Sequence, residues 1–341
     1  MNLTLRAAAA AVLAASGWLA GPAAAQTNFF AGQTIHLIIP AGPGGAFATF
    51  GQIISKFLTQ QIPGNPDVIP QYMSGAGGIR ASNYVANNAA TDGTVIYLIH
   101  ESAVTHQLLF PDQVMYDAHK FIPIGIISSL NSAFAVRKDA PATDMAGFKQ
   151  KQVILGSTGP GSYQFVVPTL MNDFQDTKFK MIAGFQGTNN MALALDRGEI
   201  QGMLASFLAI QTIRPDWVSG QGVAKIVFQM GDRADPAIPD VPLLTALAAS
   251  EEERALYSFL TLERSLGRSL VAPAGVPESR VAVLRAALVA VLHNSEFRTA
   301  CAARKIPLHS GSADDLKAVI DKAFATPPDV IATARKYMIA K

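Results

Sequence analysis

The chain has 341 residues, half of them hydrophobic and only 15% charged. That balance excludes a disordered chain, and the length allows two domains that each bury a core. Lys and Arg number 27 against 25 Asp and Glu, a formal net charge of +2, which gives no electrostatic case for nucleic acid or an anionic membrane surface as partner.

Residues 1–25 read as a cleavable export signal. Arg6 supplies a positive n-region, Ala7 to Ala20 is apolar, and Ala23-Ala24-Ala25 offers an A-x-A cleavage site. The apolar run falls short of the ~20 residues that a membrane span needs. Only Arg6 is charged in this segment, so the remainder holds 26 basic and 25 acidic residues, net +1. An exported, soluble, periplasmic protein is expected. The single Cys301 cannot form an internal disulfide and reads as a small buried hydrophobe.

Ile35 to Ile39 is a short apolar run of the kind expected for a strand covered on both faces. Pro40 to Gly45 cannot continue it, and from Ala46 the apolar period becomes helical, with Phe47, Phe50, Ile53 or Ile54, Phe57 and Leu58 on one face. Asp67–Tyr72 reads as a second strand, Ser74–Gly78 as a glycine turn, Ile79–Ala90 as a helix and Thr94–Ile99 as a third strand. A short helix over Ser102–Leu109 and strands over Phe121–Ile127 and Ala133–Arg137 follow, with a domain crossing near Asn131. A second α/β series then runs through a helix at Thr143–Lys151, strand Val153–Leu155, and a helix from Gln164 to Phe174. It continues through strand Phe179–Ala183, helix Thr188–Arg197, and strands Gln201–Ala205 and Ala224–Gln229. Ser250 with Glu253 reads as a capping box for a helix to Leu262. Arg268–Ala272 reads as a strand, and Pro277 as a first-turn proline before the helix Arg280–Leu292. Ser295–Arg304 is a further helix, Ser312 with Asp315 a second capping box, and Leu316–Phe324 and the C-terminus are helical.

Two stretches share one grammar: strand, glycine-rich turn, helix start. The first is Gly42-Pro43-Gly44-Gly45-Ala46-Phe47-Ala48, the second Ser157-Thr158-Gly159-Pro160-Gly161-Ser162-Tyr163. A helix N-terminus carries unpaired N–H groups and favours an anion, and glycine lets a ligand approach them. The bland alternative for each is a tight turn that binds nothing.

Other motifs fail on spacing. Three G-x-G starts, at Gly42, Gly75 and Gly159, carry Phe47, Arg80 and Gln164 where a dinucleotide fingerprint needs Gly or Ala. No glycine loop leads into the Gly-Lys-Ser/Thr of a phosphate loop. His100-Glu101 with His106 lacks the i, i+4 spacing of a zinc helix. No metal, cofactor or linear catalytic set is expected, although His100, Glu101 and Ser102 end a strand where open sheets place ligands.

Taken together, Gly32-Gln33-Thr34-Ile35 leading into Pro43-Gly44-Gly45, Ser74-Gly75-Ala76-Gly77-Gly78 with Ala90-Thr91-Asp92-Gly93-Thr94, and Gly156-Ser157-Thr158-Gly159 form an ordered set. Asp196-Arg197-Gly198-Glu199, Pro239-Asp240-Val241-Pro242 and Ala272-Pro273-Ala274-Gly275-Val276-Pro277 complete it. In this order the chain resembles the periplasmic solute receptors of tripartite tricarboxylate transporters, the TctC or Bug family, from about Phe29 to Val330. The resemblance implies an α/β, two-domain periplasmic-binding-protein-like fold of type II, each domain a mostly parallel sheet flanked by helices, closing like a Venus flytrap. It implies domain 1 over 26–130, domain 2 over 131–232, and a return to domain 1 over 233–341. It further implies a non-catalytic receptor that holds a small organic acid, such as a di- or tricarboxylate, on the two glycine loops; Phe47 and Phe50 read first as helix-face core residues, and either one pointing into the cleft would suit an apolar or aromatic carboxylate. Gly77, His100 to Ser102, Gln186, Gly187, Thr188 and Ser206 are further contacts carried over from it. Two integral membrane subunits, small and large, are the implied partners, and a monomer is expected. Family receptors commonly carry Asp where this chain has Ala48, which disfavours a ligand with an amino group. An exported α/β hydrolase or transferase, and a ligand sensor for a membrane signalling partner, stay open as alternatives.

Overall fold

The computed structural model describes residues 29–43, 45–160, 162–304 and 306–339. The expected leader, Gly44 and Gly161 lie outside the described residues. The first series runs β1 (Thr34–Ile39), α1 (Gly45–Gln61), β2 (Asp67–Tyr72), α2 (Ile79–Asn87), β3 (Val95–Ile99), α3 (Ala103–Leu109) and β4 (Ile122–Ser128). The second runs β5 (Ser132–Arg137), α4 (Met145–Gln150), β6 (Val153–Gly156), α5 (Tyr163–Gln175), β7 (Phe179–Ile182), α6 (Thr188–Arg197), β8 (Gly202–Ser206), α7 (Phe207–Ile213), α8 (Pro215–Val218) and β9 (Ala224–Met230). The chain ends with α9 (Glu251–Leu266), β10 (Arg268–Ala272), α10 (Glu278–His293), α11 (Ser295–Ala303), α12 (Ala313–Phe324) and α13 (Pro328–Ile339).

Among the described residues, ten strands form two five-stranded sheets, in the orders β2-β1-β3-β10-β4 and β7-β6-β8-β5-β9. In the first, β1 is parallel to β2 and β3, while β10 is antiparallel to both β3 and β4. In the second, β6 is parallel to β7 and β8, and β5 is antiparallel to β8 and β9. Each sheet is therefore parallel apart from the one strand that enters it after a crossing. All five residues of β3 and of β10 are buried, as expected of strands with helices on both faces. Pro70 sits in β2, an edge strand, where a missing N–H costs no ladder bond.

Helix α1 buries Phe50, Ile53, Ile54, Phe57 and Leu58, the stripe read from its period. In the second sheet Phe134 stacks on Phe228 with centroids 4.7 Å apart, and Phe148 and Phe179 pack around Phe134. One buried cluster joins residues of both sheets through Leu256, Phe259, Leu260 and Leu266 of α9. Cys301 is buried, and burial pushes its thiol up to about 11.

The chain passes from the first sheet to the second over 129–131, between β4 and β5. There the Asn131 side chain donates to Gln229 Oε1 and to the Arg233 carbonyl, both at 2.9 Å. It thereby ties the crossing to the strand that leaves the second sheet. Helix α13 touches elements of both series: Arg335 donates to the Leu108 carbonyl near the end of α3, and the Tyr337 hydroxyl donates to Asp173 on α5.

Four local expectations are corrected. Helix α9 runs to Leu266 instead of Leu262, because Glu263 and Arg264, which break the apolar pattern, are held by ion pairs at its end. Ser250 accepts from the Glu253 N–H, but the Glu253 carboxylate turns inward to Gln175, Tyr257 and the Ala249 N–H, so only half a capping box forms. Pro277 is the N-cap of α10 instead of its first helical residue. Helices α7 and α8 follow β8 directly and were not expected. The second capping box, Ser312 with Asp315, is complete.

Candidate functional site

The glycine loops, the turn at 74–78 and the residues after β3, β7 and β8 all lie at the carboxyl ends of parallel strands. Open α/β sheets place ligands there. Gly42 and Gly159 border open space, since a Cβ added at either meets nothing within 4 Å. Helix α1 has no acidic residue in its first turn. Helix α5 likewise has none, and its N-cap Ser162 leaves the first-turn N–H groups uncapped by donating instead to the Gly159 carbonyl at 2.7 Å. The N-cap of α6, Gly187, has no side chain to cap with. These helix starts offer N–H groups and a dipole suited to an anion.

The loops converge on a compact charged cluster. Glu101, directly after β3, pairs with Arg268 at the start of β10, and its second oxygen lies 3.8 Å from Arg264 Nη2. Arg264 also lies 3.7 Å from Glu263 Oε2 and places its guanidinium 5.1 Å from the Tyr163 ring centroid. Arg268 lies 3.8 Å over the Phe47 ring, and Phe47 stacks on His100 at 5.2 Å. Residues after β1, β3 and β6 thus meet around two arginines. Arg268 Nε is buried and has no hydrogen-bond partner among the described residues. Two carboxylates balance two guanidiniums, so the cluster is neutral overall.

Burial pushes the Glu101 carboxyl up, but the Arg268 and Arg264 guanidiniums outweigh this and hold it below the ordinary value. Burial lowers His100, and the two arginines add to that against Glu101 and Glu263; its imidazole is neutral at neutral pH. Its Nδ1 accepts the Ser102 N–H at 3.2 Å and faces the Ser102 hydroxyl at 2.8 Å. The ring proton therefore sits on Nε2, a donor with no hydrogen-bond partner among the described residues.

Gly78 explains one glycine of the turn at 74–78. It has φ +90°, and a Cβ there would lie 2.5 Å from His100 Cβ. Gly78→Ala is expected to cost about 1–3 kcal/mol and to displace the imidazole. Urea unfolding and the His100 titration followed by NMR would show both, and an unchanged titration would contradict the contact.

The expected site residues separate by placement. Gly42, Pro43, Gly77, Thr158, Gly159, Ser162, Tyr163, Gln186, Gly187, Thr188 and Ser206 are exposed or half-buried at the strand ends. The Thr158 hydroxyl donates to Gln164. His100, Glu101 and Ser102 are half-buried beside the arginines, where Glu101 is occupied by them and is corrected from a free ligand contact to an ion-pair partner. Ala48 and Ser157 are corrected as side-chain contacts. Ala48 is 1% exposed and part of the core, and Ser157 is fully buried with its hydroxyl toward the Ile182 carbonyl. Gly45 opens α1, with Ala46 following; Gly44 and Gly161 lie outside the described residues. Phe50 is core, whereas Phe47 lies at the rim between His100 and Arg268. Arg264 and Arg268 were not expected from the sequence. The signal was present, because an arginine opening a short, mostly apolar strand of the kind that is buried on both faces must find a partner.

Among the described residues no group of three or more His, Cys, Asp or Glu is placed to hold a metal, and no helix is long and apolar enough to cross a membrane.

The model of the tripartite tricarboxylate transporter family receptor matches residues 54–334. A TctC solute binding protein from Polaromonas, solved with no ligand, has a TM-score of 0.69 at 23% identity, covering 88% of this chain and 98% of that one. MatC from Rhodopseudomonas palustris, solved with bound malate, has a TM-score of 0.57 at 23% identity, covering 88% and 99%. A UPF0065 protein from the tcbD-tcbE intergenic region of Pseudomonas sp. (strain P51) is 24% identical over 270 residues, 77% of this chain and 75% of that protein. The two structures share the two-sheet fold.

Proposed function

The chain belongs to the tripartite tricarboxylate transporter family of receptors, and from that premise we propose that it is a periplasmic solute receptor. It captures a small organic carboxylate between its lobes and delivers it to two integral membrane subunits. One observation carries the reading: the loops after β1, β3 and β6 converge, with the uncapped start of α5 and open glycines beside a charged cluster that is neutral overall. Main-chain N–H groups receive the anion, and the neutral His100 offers one further donor. Residues 26–130 with 233–341 form one lobe and 131–232 the other. The ligand favours the closed state by touching both. That MatC was solved with malate supports a carboxylate. The protein acts as a monomer and returns its ligand unchanged, which separates it from a hydrolase or transferase.

The test is a thermal-shift screen of residues 26–341 against mono-, di- and tricarboxylates. A bound ligand at ~100 times its Kd adds about 2.7 kcal/mol. Gly42→Trp and Gly159→Trp fill open space, so each is expected to keep the ligand-free melting temperature and abolish the shift. Full shifts in both variants would overturn the two-loop site. A ligand recovered chemically altered would overturn the receptor reading.

A further inference from the structure

A cavity of about 220 Å³ lies between α3, α5, α9 and α13, beside the charged cluster. Val166, Phe259, Leu260 and Met338 supply its apolar wall. Ser162 and Tyr163 also line it, so it opens at the uncapped start of α5, the point where the second glycine loop ends. Its polar side is Thr105 and Glu263. Those two groups are already matched: the Thr105 hydroxyl donates to Glu263 Oε1 at 2.8 Å, and Glu263 Oε2 lies near Arg264.

We propose that this cavity receives the apolar body of the ligand, and that the substrate class is a monocarboxylate with a single aromatic ring or a short branched alkyl group. The inference rests on the carboxylate-receptor reading and narrows it. Three features support it. The volume is below the ~300–1,000 Å³ of pockets for drug-sized ligands, so it suits a small body such as a single ring. The wall is aliphatic and aromatic, which rewards burial of carbon. The only charged group in the wall is Glu263, and both arginines beside it are already neutralised by Glu101 and Glu263. A second carboxylate entering the cavity would lose its hydration with no unpaired cation in the wall to receive it. A short dicarboxylate is therefore disfavoured here, whereas an uncharged body is not.

The test is calorimetry on residues 26–341 with benzoate, phenylacetate and 2-methylbutyrate against succinate and acetate. The cavity-filling variants Leu260→Trp and Met338→Trp accompany the wild type; Met338 is half-buried on the last helix, so a larger side chain is expected to be tolerated there even where Leu260→Trp is not. At least one aryl or branched acid is expected to bind tenfold or more tighter than succinate. Each folded variant should lose at least tenfold for that acid while leaving acetate unchanged. Succinate binding as tightly as the aryl acids, or an aryl affinity untouched by both variants, would overturn the substrate class and leave the receptor reading standing. No carboxylate bound by the wild type would overturn both.

Discussion

Glu101→Gln is expected to lower the unfolding free energy by about 3 kcal/mol at neutral pH, the lower end of what removing one partner of a buried pair costs. Glu101 faces two guanidiniums, and the side chains of Arg268 and Arg264 are only 8% and 11% exposed. The neutral amide leaves Arg268 without a counter-charge in a site that already contains its unpartnered Nε. Glu263 remains near Arg264 and softens the loss. Because the folded-state pKa of Glu101 is depressed, its contribution is fully present above the unfolded value of ~4.3 and is lost as the pH falls through the folded one. Wild type and variant therefore differ most above pH ~4.3 and converge in acid. Glu101→Leu combined with Arg268→Leu removes both charges and is expected to be more stable than Glu101→Gln alone. Urea unfolding across pH checks this. A difference under ~1 kcal/mol at neutral pH would put the pair in the solvent-screened class.

The elements were legible where local rules and burial agree. The apolar stripe of α1, the strand β3 and the box at Ser312 each satisfy one local pattern, and the fold keeps them. The glycine loops were legible as turns because no other residue set tolerates those positions so densely. What the linear chain concealed is pairing across long separations. Glu101 and Arg268 meet only because β10 inserts between β3 and β4. Antiparallel insertion of one late strand into a parallel sheet has no signature in the strand's own five residues. The same fact moved Glu101 from an expected ligand contact to an internal partner. It also brought Arg268 over Phe47, a ring the period alone assigned to the core face of α1. Ser157 shows the converse: a hydroxyl in a glycine loop is equally suited to a ligand or to its neighbouring strand, and the Ile182 carbonyl claims it.

Gly267→Ala is expected to cost about 2–4 kcal/mol, combining a left-handed backbone with a steric clash. Gly267 ends α9 with φ +49°, where an L side chain is strained, and a Cβ there would lie 2.2 Å from the Ser128 carbonyl oxygen and 2.8 Å from Ser129 Cα. Those neighbours are backbone and have no rotamer to yield. The position also matters because Ser128 ends β4, the strand from which the chain crosses to the second sheet, while Gly267 begins the return through β10. An added methyl therefore pushes apart two segments that meet at the crossing, and its effect reaches the angle between the lobes. The variant should show a lower urea midpoint and a ligand affinity that falls even though no loop contact changes. If instead affinity holds while stability drops, closure does not pass through this junction, and the hinge lies wholly in 129–131 and the segment after β9.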